Sequence, residues 1–102
     1  MKTLTICGSM RYEKEMQEIA FQLESLYGLN ILQCTYGNKK LTKEEKYNIV
    51  TAHFRKIDLS DGIYVIDIDN SIGESVKYEI EYAQKTGKMI LYHSKFADFC
   101  KN

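Results

Sequence analysis

Short apolar runs alternate along the chain with segments whose apolar residues recur every three or four positions. The runs are ended by glycine or by polar residues and predict strands, whereas the helical spacing predicts helices between them. The predicted strands cover 4–7, 29–33, 62–68 and 89–92. The predicted helices cover 14–27, a segment that opens at residue 42, and 75–86.

Local signals support the ends of these helices. Gly28 is well placed just past the first helix, because glycine readily adopts the left-handed conformation that ends many helices. Thr42 and Glu45 stand three positions apart and form the capping-box pattern that opens the second helix. The predicted inner face of that helix is Tyr47, Val50, Phe54 and Ile57. The tail 95–102 is too short to assign.

The order of the elements is βαβαβαβ, which predicts an α/β fold with three layers and a parallel sheet of about four strands. Parallel strands are joined by right-handed crossovers and are covered on both faces, so few layouts are open to this chain. We favour the flavodoxin-like or Rossmann-like strand order 2-1-3-4. In that order the loops after Cys7 and after Ile68 flank one crevice, where α/β proteins bind their ligands.

Length and composition narrow the class of protein. The 102 residues fit one domain, spanning 1–102, and 14 basic residues balance 14 acidic ones. A chain without net charge is a poor partner for a nucleic-acid polymer or an anionic membrane. No apolar stretch approaches the roughly 20 residues that span a bilayer, and no signal sequence precedes the first strand. We expect a soluble cytoplasmic protein.

Cysteine, histidine and tyrosine add three expectations. The cysteines lack metal-ligand spacing and fit a reducing compartment; they are Cys7, Cys34 and Cys100. His53 lies late in the second helix, where it can favour the helix dipole, and His93 follows the fourth strand. Neither histidine has a second ligand nearby in sequence, so we expect neither a metal nor a cofactor. Eight tyrosines exceed the needs of a small core and predict a cleft or a subunit interface.

The turn after the first strand contains Gly8, Ser9, Met10 and Arg11. It brings backbone N–H groups, a hydroxyl and a cation into one small volume, which suits an anion. The same residues also fit a plain strand-to-helix turn, in which the glycine relieves strain and the serine caps the helix. Both interpretations stay open at this point.

A polar loop, 67–75, joins the third strand to the third helix and includes Asn70, Gly73 and Ser75. Loops that follow parallel strands are the usual ligand-binding segments of α/β proteins. Gly73 and Ser75 either cap the helix or donate hydrogen bonds to a phosphate or a ribose hydroxyl.

Glu79 departs from the pattern of its own helix. Val76, Ile80 and Ala83 form an apolar stripe, and Glu79 lies at the edge of that stripe rather than on the charged face. A half-buried carboxylate is unfavourable unless it is paired or lines a cleft where its chemistry is used.

Asp67 and Asp69 follow the third strand and can lie near Glu79. A carboxylate nucleophile that cleaves an N-glycosidic bond must lie near the anomeric carbon, and a second group must handle the proton on the base. The alternative is structural. In that case the aspartates stabilise the helix dipole, and Glu79 pairs with Arg11 or Lys56.

Three segments resemble the nucleoside 2-deoxyribosyltransferase-like superfamily, which includes deoxynucleoside 5'-monophosphate N-glycosidases. Ile-Cys-Gly-Ser-Met-Arg at 6–11 is similar to the segment that holds the 5'-phosphate. Leu-Ser-Asp-Gly-Ile-Tyr-Val at 59–65 is similar to the strand that supplies a site aspartate. Tyr-Glu-Ile-Glu-Tyr-Ala at 78–83 resembles the helix that carries the nucleophilic glutamate. The match covers most of the chain.

The resemblance implies residue roles. Glu79 is then the nucleophile and Asp61 orients the sugar or a proton, although Asp61 can also stay in the turn before the strand. The residues implied to hold the phosphate or sugar are Gly8, Ser9, Arg11, Gly73 and Ser75. The chain departs from the family at two positions. Thr5 stands where family enzymes have a tyrosine that contacts the catalytic glutamate, and Glu81 replaces a glycine.

The implied activity is that of an N-glycosyl hydrolase or deoxyribosyltransferase acting on a small deoxynucleoside or deoxynucleotide. The resemblance also implies a homodimer. The alternative is a protein whose cleft binds a nucleotide or an ADP-ribose-like ligand without cleaving it. Only Glu79 is superfluous to a pure binding protein, so its position favours the enzyme.

Overall fold

The computed structural model describes residues 2–37 and 39–100. These residues form a parallel sheet of four strands. The strands are β1 (Thr3–Cys7), β2 (Asn30–Leu32), β3 (Gly62–Val65) and β4 (Met89–Tyr92). They lie in the order β2-β1-β3-β4, and every neighbouring pair is parallel. The α/β class and the predicted order 2-1-3-4 are confirmed.

Helices cover both faces of the sheet. They are α1 (Glu13–Tyr27), α2 (Lys43–Asp58), α3 (Glu74–Lys85) and α4 (His93–Cys100). Two short 3-10 helices precede longer ones. Met10–Tyr12 comes directly before α1, and Ile68–Asn70 lies in the loop before α3. The helix α4 occupies most of the tail that sequence patterns left unassigned.

The third strand is shorter than the predicted 62–68. Its partner β1 ends at Cys7, and the bond from Ile66 N to Cys7 O, 2.8 Å long, follows the last paired residues. Beyond Ile66 the apolar run turns into the 3-10 helix, because β1 offers no further backbone to pair with.

The predicted helix ends are confirmed at two places. Gly28 adopts φ 67° and donates its N–H to the carbonyl groups of the last turn of α1. At the start of α2 the Thr42 hydroxyl accepts from Glu45 N at 3.1 Å, and the Glu45 carboxylate accepts from Thr42 N at 2.8 Å. This reciprocal pair is a capping box, and it satisfies two backbone donors that the helix itself leaves free.

The predicted inner face of α2 is partly wrong. Ile57 is fully buried, but Tyr47 is 70% exposed and Val50 is 49% exposed. The inward side instead follows Ile49, His53 and Ile57, which are spaced four residues apart. Val50 lies next to this side and lines a cleft rather than a filled core, which explains its exposure.

The two sheet faces carry separate apolar cores. Leu4 and Ile6 of β1 pack on one side against α1, together with Met16, Leu23 and Tyr64. On the other side Cys7 joins a core whose remaining buried members are Ile57, Ile63, Val65, Val76 and Ala83. Each large side chain buried in this way stabilises the fold by roughly 1.5–3 kcal/mol. The alternation along β1 therefore fixes which residues face α1 and which face α2 and α3.

Hydrogen bonds tie the amino edge of the sheet together. The Asp61 carboxylate accepts from Thr3 N at 2.8 Å. Lys88 Nζ donates to the Asp58 and Ser60 carbonyl groups at 3.0 and 2.8 Å. These bonds join the end of α2 and the starts of β1, β3 and β4, so this edge serves as a structural clamp.

Strands β3 and β4 approach each other closely at Gly62. A Cβ at this position would collide with the Met89 carbonyl oxygen and lie 2.7 Å from Met89 Cβ in the neighbouring strand. We expect Gly62→Ala to lower the free energy of unfolding by about 1–3 kcal/mol, because the strands must move apart. Urea denaturation measures the change.

Gly73→Ala is the matched control, because an added Cβ there meets nothing within 4 Å. We expect a loss of about 0.5–1 kcal/mol, because Gly73 is the N-cap of α3 and alanine is less favourable than glycine at that position. Equal unfolding midpoints for the two variants would contradict the close approach of β3 and β4.

Candidate functional site

A cleft of about 680 Å³ opens at the carboxyl edge of the sheet. Four segments line it: the loop after β1, the segment after β2, one side of α2 and the first turns of α3. This is the point where the chain turns to opposite faces after β1 and β3, because α1 covers one face and α3 the other. The cleft therefore lies where the strand order predicts a ligand site.

Six of the residues predicted from sequence line this cleft: Gly8, Ser9, Met10, Gly73, Ser75 and Glu79. The first three belong to the loop after β1, and the last three to the amino end of α3. The loop after β1 and the amino end of α3 are thus brought together around one volume, with Glu79 on its wall.

The structure keeps Asp61 away from the cleft. Asp61 directly precedes β3 and binds Thr3 N at the amino edge, whereas the cleft lies at the carboxyl edge. The length of β3 separates the two positions. A role for Asp61 in orienting the sugar therefore has no support in the geometry.

Asp67 and Asp69 also lie outside the cleft lining. The buried Asp67 carboxylate accepts from Ser94 N at 2.9 Å and from the Ser94 hydroxyl at 2.7 Å, and thereby stabilises the first turn of α4. Asp69 and Asn70 are exposed and adopt φ 56° and 58°, a conformation that aspartate and asparagine tolerate better than most residues. They form the outer turn of the loop rather than the ligand site.

Arg11 bridges the two loops beside the cleft. One guanidinium nitrogen donates to the Tyr12 hydroxyl and to the Ser71 hydroxyl, each at 2.7 Å. The guanidinium also lies 4.7 Å from the centre of the Tyr12 ring. Arg11 is not among the lining residues, so its visible role is to hold the loop after β1 against the loop before α3.

Glu79 has two partners that sequence spacing did not indicate. His53 Nε2 lies 3.1 Å from Glu79 Oε1, and the Cys7 Sγ atom lies 3.5 Å from the same histidine nitrogen. The side chains of His53 and Glu79 are only 12% and 14% exposed, and Cys7 is fully buried beneath them. A carboxylate, an imidazole and a thiol therefore meet at the inner end of the cleft.

Burial raises the pKa of the Cys7 thiol well above its usual range, and the nearby Glu79 carboxylate raises it further. Burial also raises the pKa of Cys34, a second cleft residue, to about 11, with a smaller contribution from Glu79. Both groups are neutral thiols at physiological pH, so neither acts as a thiolate nucleophile in this state.

Sequence reasoning missed His53 as a site residue. Its position near the end of α2 suggested an interaction with the helix dipole. The better signal was its spacing of four residues from Ile49 and from Ile57, which places it on the inward side of the helix. Cys7 ends the predicted first strand, but nothing local indicated which residues it would meet.

Comparison with known protein families, curated proteins and solved structures finds no match to this chain. Among the described residues, no helix combines the length and the apolar composition needed to cross a bilayer. The function is therefore inferred from the cleft and from the sequence motifs that form it.

His93 makes the stability of the fold depend on pH. Burial lowers its pKa, and the Asp67 carboxylate partly opposes this shift. His93 Nδ1 lies 2.8 Å from the Tyr64 hydroxyl oxygen, within hydrogen-bond distance. As the pH falls through about 6.5, the unfolded chain gains a proton on this residue before the folded protein does. Stability should therefore decline with falling pH until the folded protein is protonated too.

The variant His93→Asn removes this titration while the other titratable groups stay. We expect its free energy of unfolding to fall less than that of the unmodified protein between about pH 7.5 and 5.5. Chemical denaturation at both pH values measures the difference. Identical slopes of stability against pH would contradict a buried neutral His93.

Proposed function

We propose that the protein is an N-glycosyl hydrolase or deoxyribosyltransferase that acts on a small deoxynucleoside or deoxynucleotide, with Glu79 as its nucleophile. The observation that carries the proposal is the Glu79 carboxylate, 14% exposed, on the wall of a cleft at the carboxyl edge of the sheet. The resemblance of residues 78–83 to the nucleophile-bearing helix supports the same role. The homodimer implied by that resemblance belongs to the proposal as well.

The size and lining of the cleft suit a nucleoside. Its volume of about 680 Å³ falls in the range of small-molecule sites, roughly 300–1,000 Å³. Val50 and Phe54 of α2 and Tyr78 of α3 supply apolar and aromatic surface on which a planar base can pack. A base held there leaves the sugar directed toward the inner wall that carries Glu79.

The opposite side of the cleft suits an anion. The loop at Gly8–Met10 and the amino end of α3 at Gly73–Ser75 both line it. Backbone N–H groups at the start of a helix have no partner within the helix and favour negative charge. A 5'-phosphate is thus the expected anchor of a nucleotide substrate, although an unphosphorylated nucleoside fits the same volume.

The reaction needs one bond exchange at the sugar. A Glu79 carboxylate oxygen attacks the anomeric carbon, the N-glycosidic bond breaks, and its electron pair leaves with the base, which takes a proton from solvent water. Water, or a second base in a transferase, then attacks the glycosyl ester, gives up a proton to solvent and restores the carboxylate. His53, 3.1 Å from Glu79, is a positioning residue that fixes the carboxylate against the cleft wall.

The non-catalytic alternative also has an observation in its favour. None of Asp61, Asp67 and Asp69 lines the cleft. Among the described lining residues, the second carboxylate is that of Glu74, an exposed side chain 3.6 Å from Lys77. A cleft with fewer acids can hold a nucleotide or an ADP-ribose-like ligand without cleaving it.

Glu79→Gln tests the nucleophile. It keeps the size of the side chain and removes the negative oxygen, so we expect release of free base to fall by several orders of magnitude while ligand binding persists. Chromatography over a panel of deoxynucleosides and deoxynucleotides measures base release, and nucleotide titration measures binding.

Glu81→Gln is the control, because Glu81 lies on the outer side of the same helix, 3.7 Å from Lys85. It should retain activity. If the unmodified protein binds nucleotides and releases no base from any of them, the binding protein is correct. If Glu79→Gln turns over normally, Glu79 is not the nucleophile.

Arg11→Ala tests the phosphate anchor. The family resemblance implies that Arg11 contacts the phosphate, which requires its guanidinium to turn from Ser71 toward the cleft. In that case we expect binding of a 5'-monophosphate to weaken by roughly 1.5–3 kcal/mol, and binding of its nucleoside to change little, because only the phosphate gains a charge-assisted bond. Calorimetric titration with each ligand measures both. Lys85→Ala, at the far end of α3, controls for a general loss of positive charge. Equal losses for both ligands would assign Arg11 to the loop bridge with Ser71 alone.

A further inference from the structure

Three different ligand groups converge at the inner end of the cleft. Cys7 Sγ, His53 Nε2 and a carboxylate oxygen of Glu79 all lie within 4.8 Å of one another. They come from β1, α2 and α3, and their closest pairs are 3.5 Å and 3.1 Å apart. We propose that these three side chains bind one zinc ion whose fourth coordination position faces the cleft.

Two of the three distances between ligand atoms come close to those of a tetrahedral zinc centre. With zinc bonds of about 2.3 Å to sulfur and about 2.0–2.1 Å to nitrogen and oxygen, neighbouring ligand atoms lie roughly 3.3–3.6 Å apart. The sulfur–nitrogen distance of 3.5 Å already has this value, and the nitrogen–oxygen distance of 3.1 Å needs a small expansion. The third pair, Cys7 Sγ and a Glu79 oxygen, lies within 4.8 Å, so adjustments of the side chains can bring all three groups to one ion.

The shared histidine nitrogen distinguishes this arrangement from a catalytic triad. In a triad the nucleophile and the carboxylate contact different nitrogens of the imidazole ring. Here Cys7 and Glu79 both contact Nε2 of His53. One Nε2 hydrogen serves one acceptor well, and the Cys7 thiol has a further acceptor in the Thr5 carbonyl oxygen, 3.7 Å away. A cation in place of the Nε2 hydrogen accepts lone pairs from all three groups at once, which one hydrogen on this nitrogen does not.

Charge and softness favour zinc. A thiolate and a carboxylate together carry two negative charges, which a divalent cation neutralises, and thiolate with imidazole suits zinc far better than magnesium or calcium. Zinc replaces the thiol proton of Cys7, which leaves to solvent as the sulfur–zinc bond forms. Because binding releases this proton, it should strengthen as the pH rises.

The fourth position is accessible from the cleft. His53 and Glu79 line the cleft, whereas Cys7 is fully buried behind them. A zinc ion held by all three is closed on the protein side and exposed toward the cleft, where water or a ligand atom completes the tetrahedron. Three protein ligands with one exchangeable position distinguish a reactive zinc site from a purely structural one.

The zinc site goes beyond the proposed function and bears on it. A Glu79 oxygen bonded to zinc cannot attack a sugar, so zinc should inhibit the proposed N-glycosyl chemistry. Metal binding itself is measurable without any substrate. The two proposals can therefore fail separately.

Cobalt titration tests the site. The full chain is treated with a chelator and a reductant, and Co²⁺ is added under anaerobic conditions. We expect one equivalent to bind, with a thiolate-to-cobalt charge-transfer band and the intense visible bands of a four-coordinate ion. Competition with Zn²⁺ should abolish the spectrum and yield the zinc affinity.

Two variants remove ligands and three serve as matched controls. We expect Cys7→Ser and His53→Gln each to weaken zinc binding by more than about 100-fold. Loss of a residue that only supports a metal ligand typically weakens metal binding by about 10- to 100-fold. Cys34→Ser, Glu74→Gln and His93→Asn should stay within about threefold of the unmodified protein. Cys34 and Glu74 line the same cleft and His93 follows β4, so they control for nonspecific binding.

Thermal melting confirms that each variant is folded. His53→Gln is the safer variant, because its side chain borders the cleft, whereas Cys7 lies in the core. The proposal is overturned if folded His53→Gln keeps the zinc affinity, or if the charge-transfer band depends on Cys34 rather than Cys7. Absence of tight zinc or cobalt binding to the unmodified protein also overturns it.

Discussion

The pairing of β1 with β3 is the constraint on which the cleft depends. Leu4 through Cys7 align with Gly62 through Val65, so the two central strands end together at one edge of the sheet. From that edge the chain leaves to opposite faces, toward α1 after β1 and toward α3 after β3. Neither departing segment fills the gap between them, and α2 closes only one side of it. This gap is the cleft.

Burial of Cys7, His53 and Glu79 at one place is energetically unusual for so small a domain. An isolated carboxylate withdrawn from water is strongly unfavourable, and it needs a hydrogen-bond donor or a cation close by. The imidazole of His53 supplies one such partner at 3.1 Å. The uncharged Cys7 thiol packs in the apolar core of this sheet face, and it becomes a strong ligand once deprotonated. Cys7 is therefore a core residue that lies beside a buried, paired carboxylate.

Helix caps and the succession of strands and helices follow from local patterns, which is why Gly28, Thr42 and the parallel sheet were predictable from sequence. The end of β3 was not, because it depends on where its partner β1 stops. Asp61 was also open to correct placement, because a residue before a parallel strand must lie at the amino edge. The cluster was not predictable. Its members are 46 and 26 positions apart, and they meet only because α2 and α3 pack side by side on one sheet face. The spacing of His53 from Ile49 and Ile57 was a signal for the inward side that the sequence analysis did not use, and it could not have identified the partners of His53.

The amino edge of the sheet has a different character. There, Lys88 and Asp61 bind backbone groups of neighbouring segments, and Gly62 lets two strands approach closely. None of these residues lines the cleft. The contacts that hold the strands together and the cleft thus lie at opposite ends of the same strands. Residues at the cleft end can consequently be exchanged for others while the scaffold that holds them stays intact.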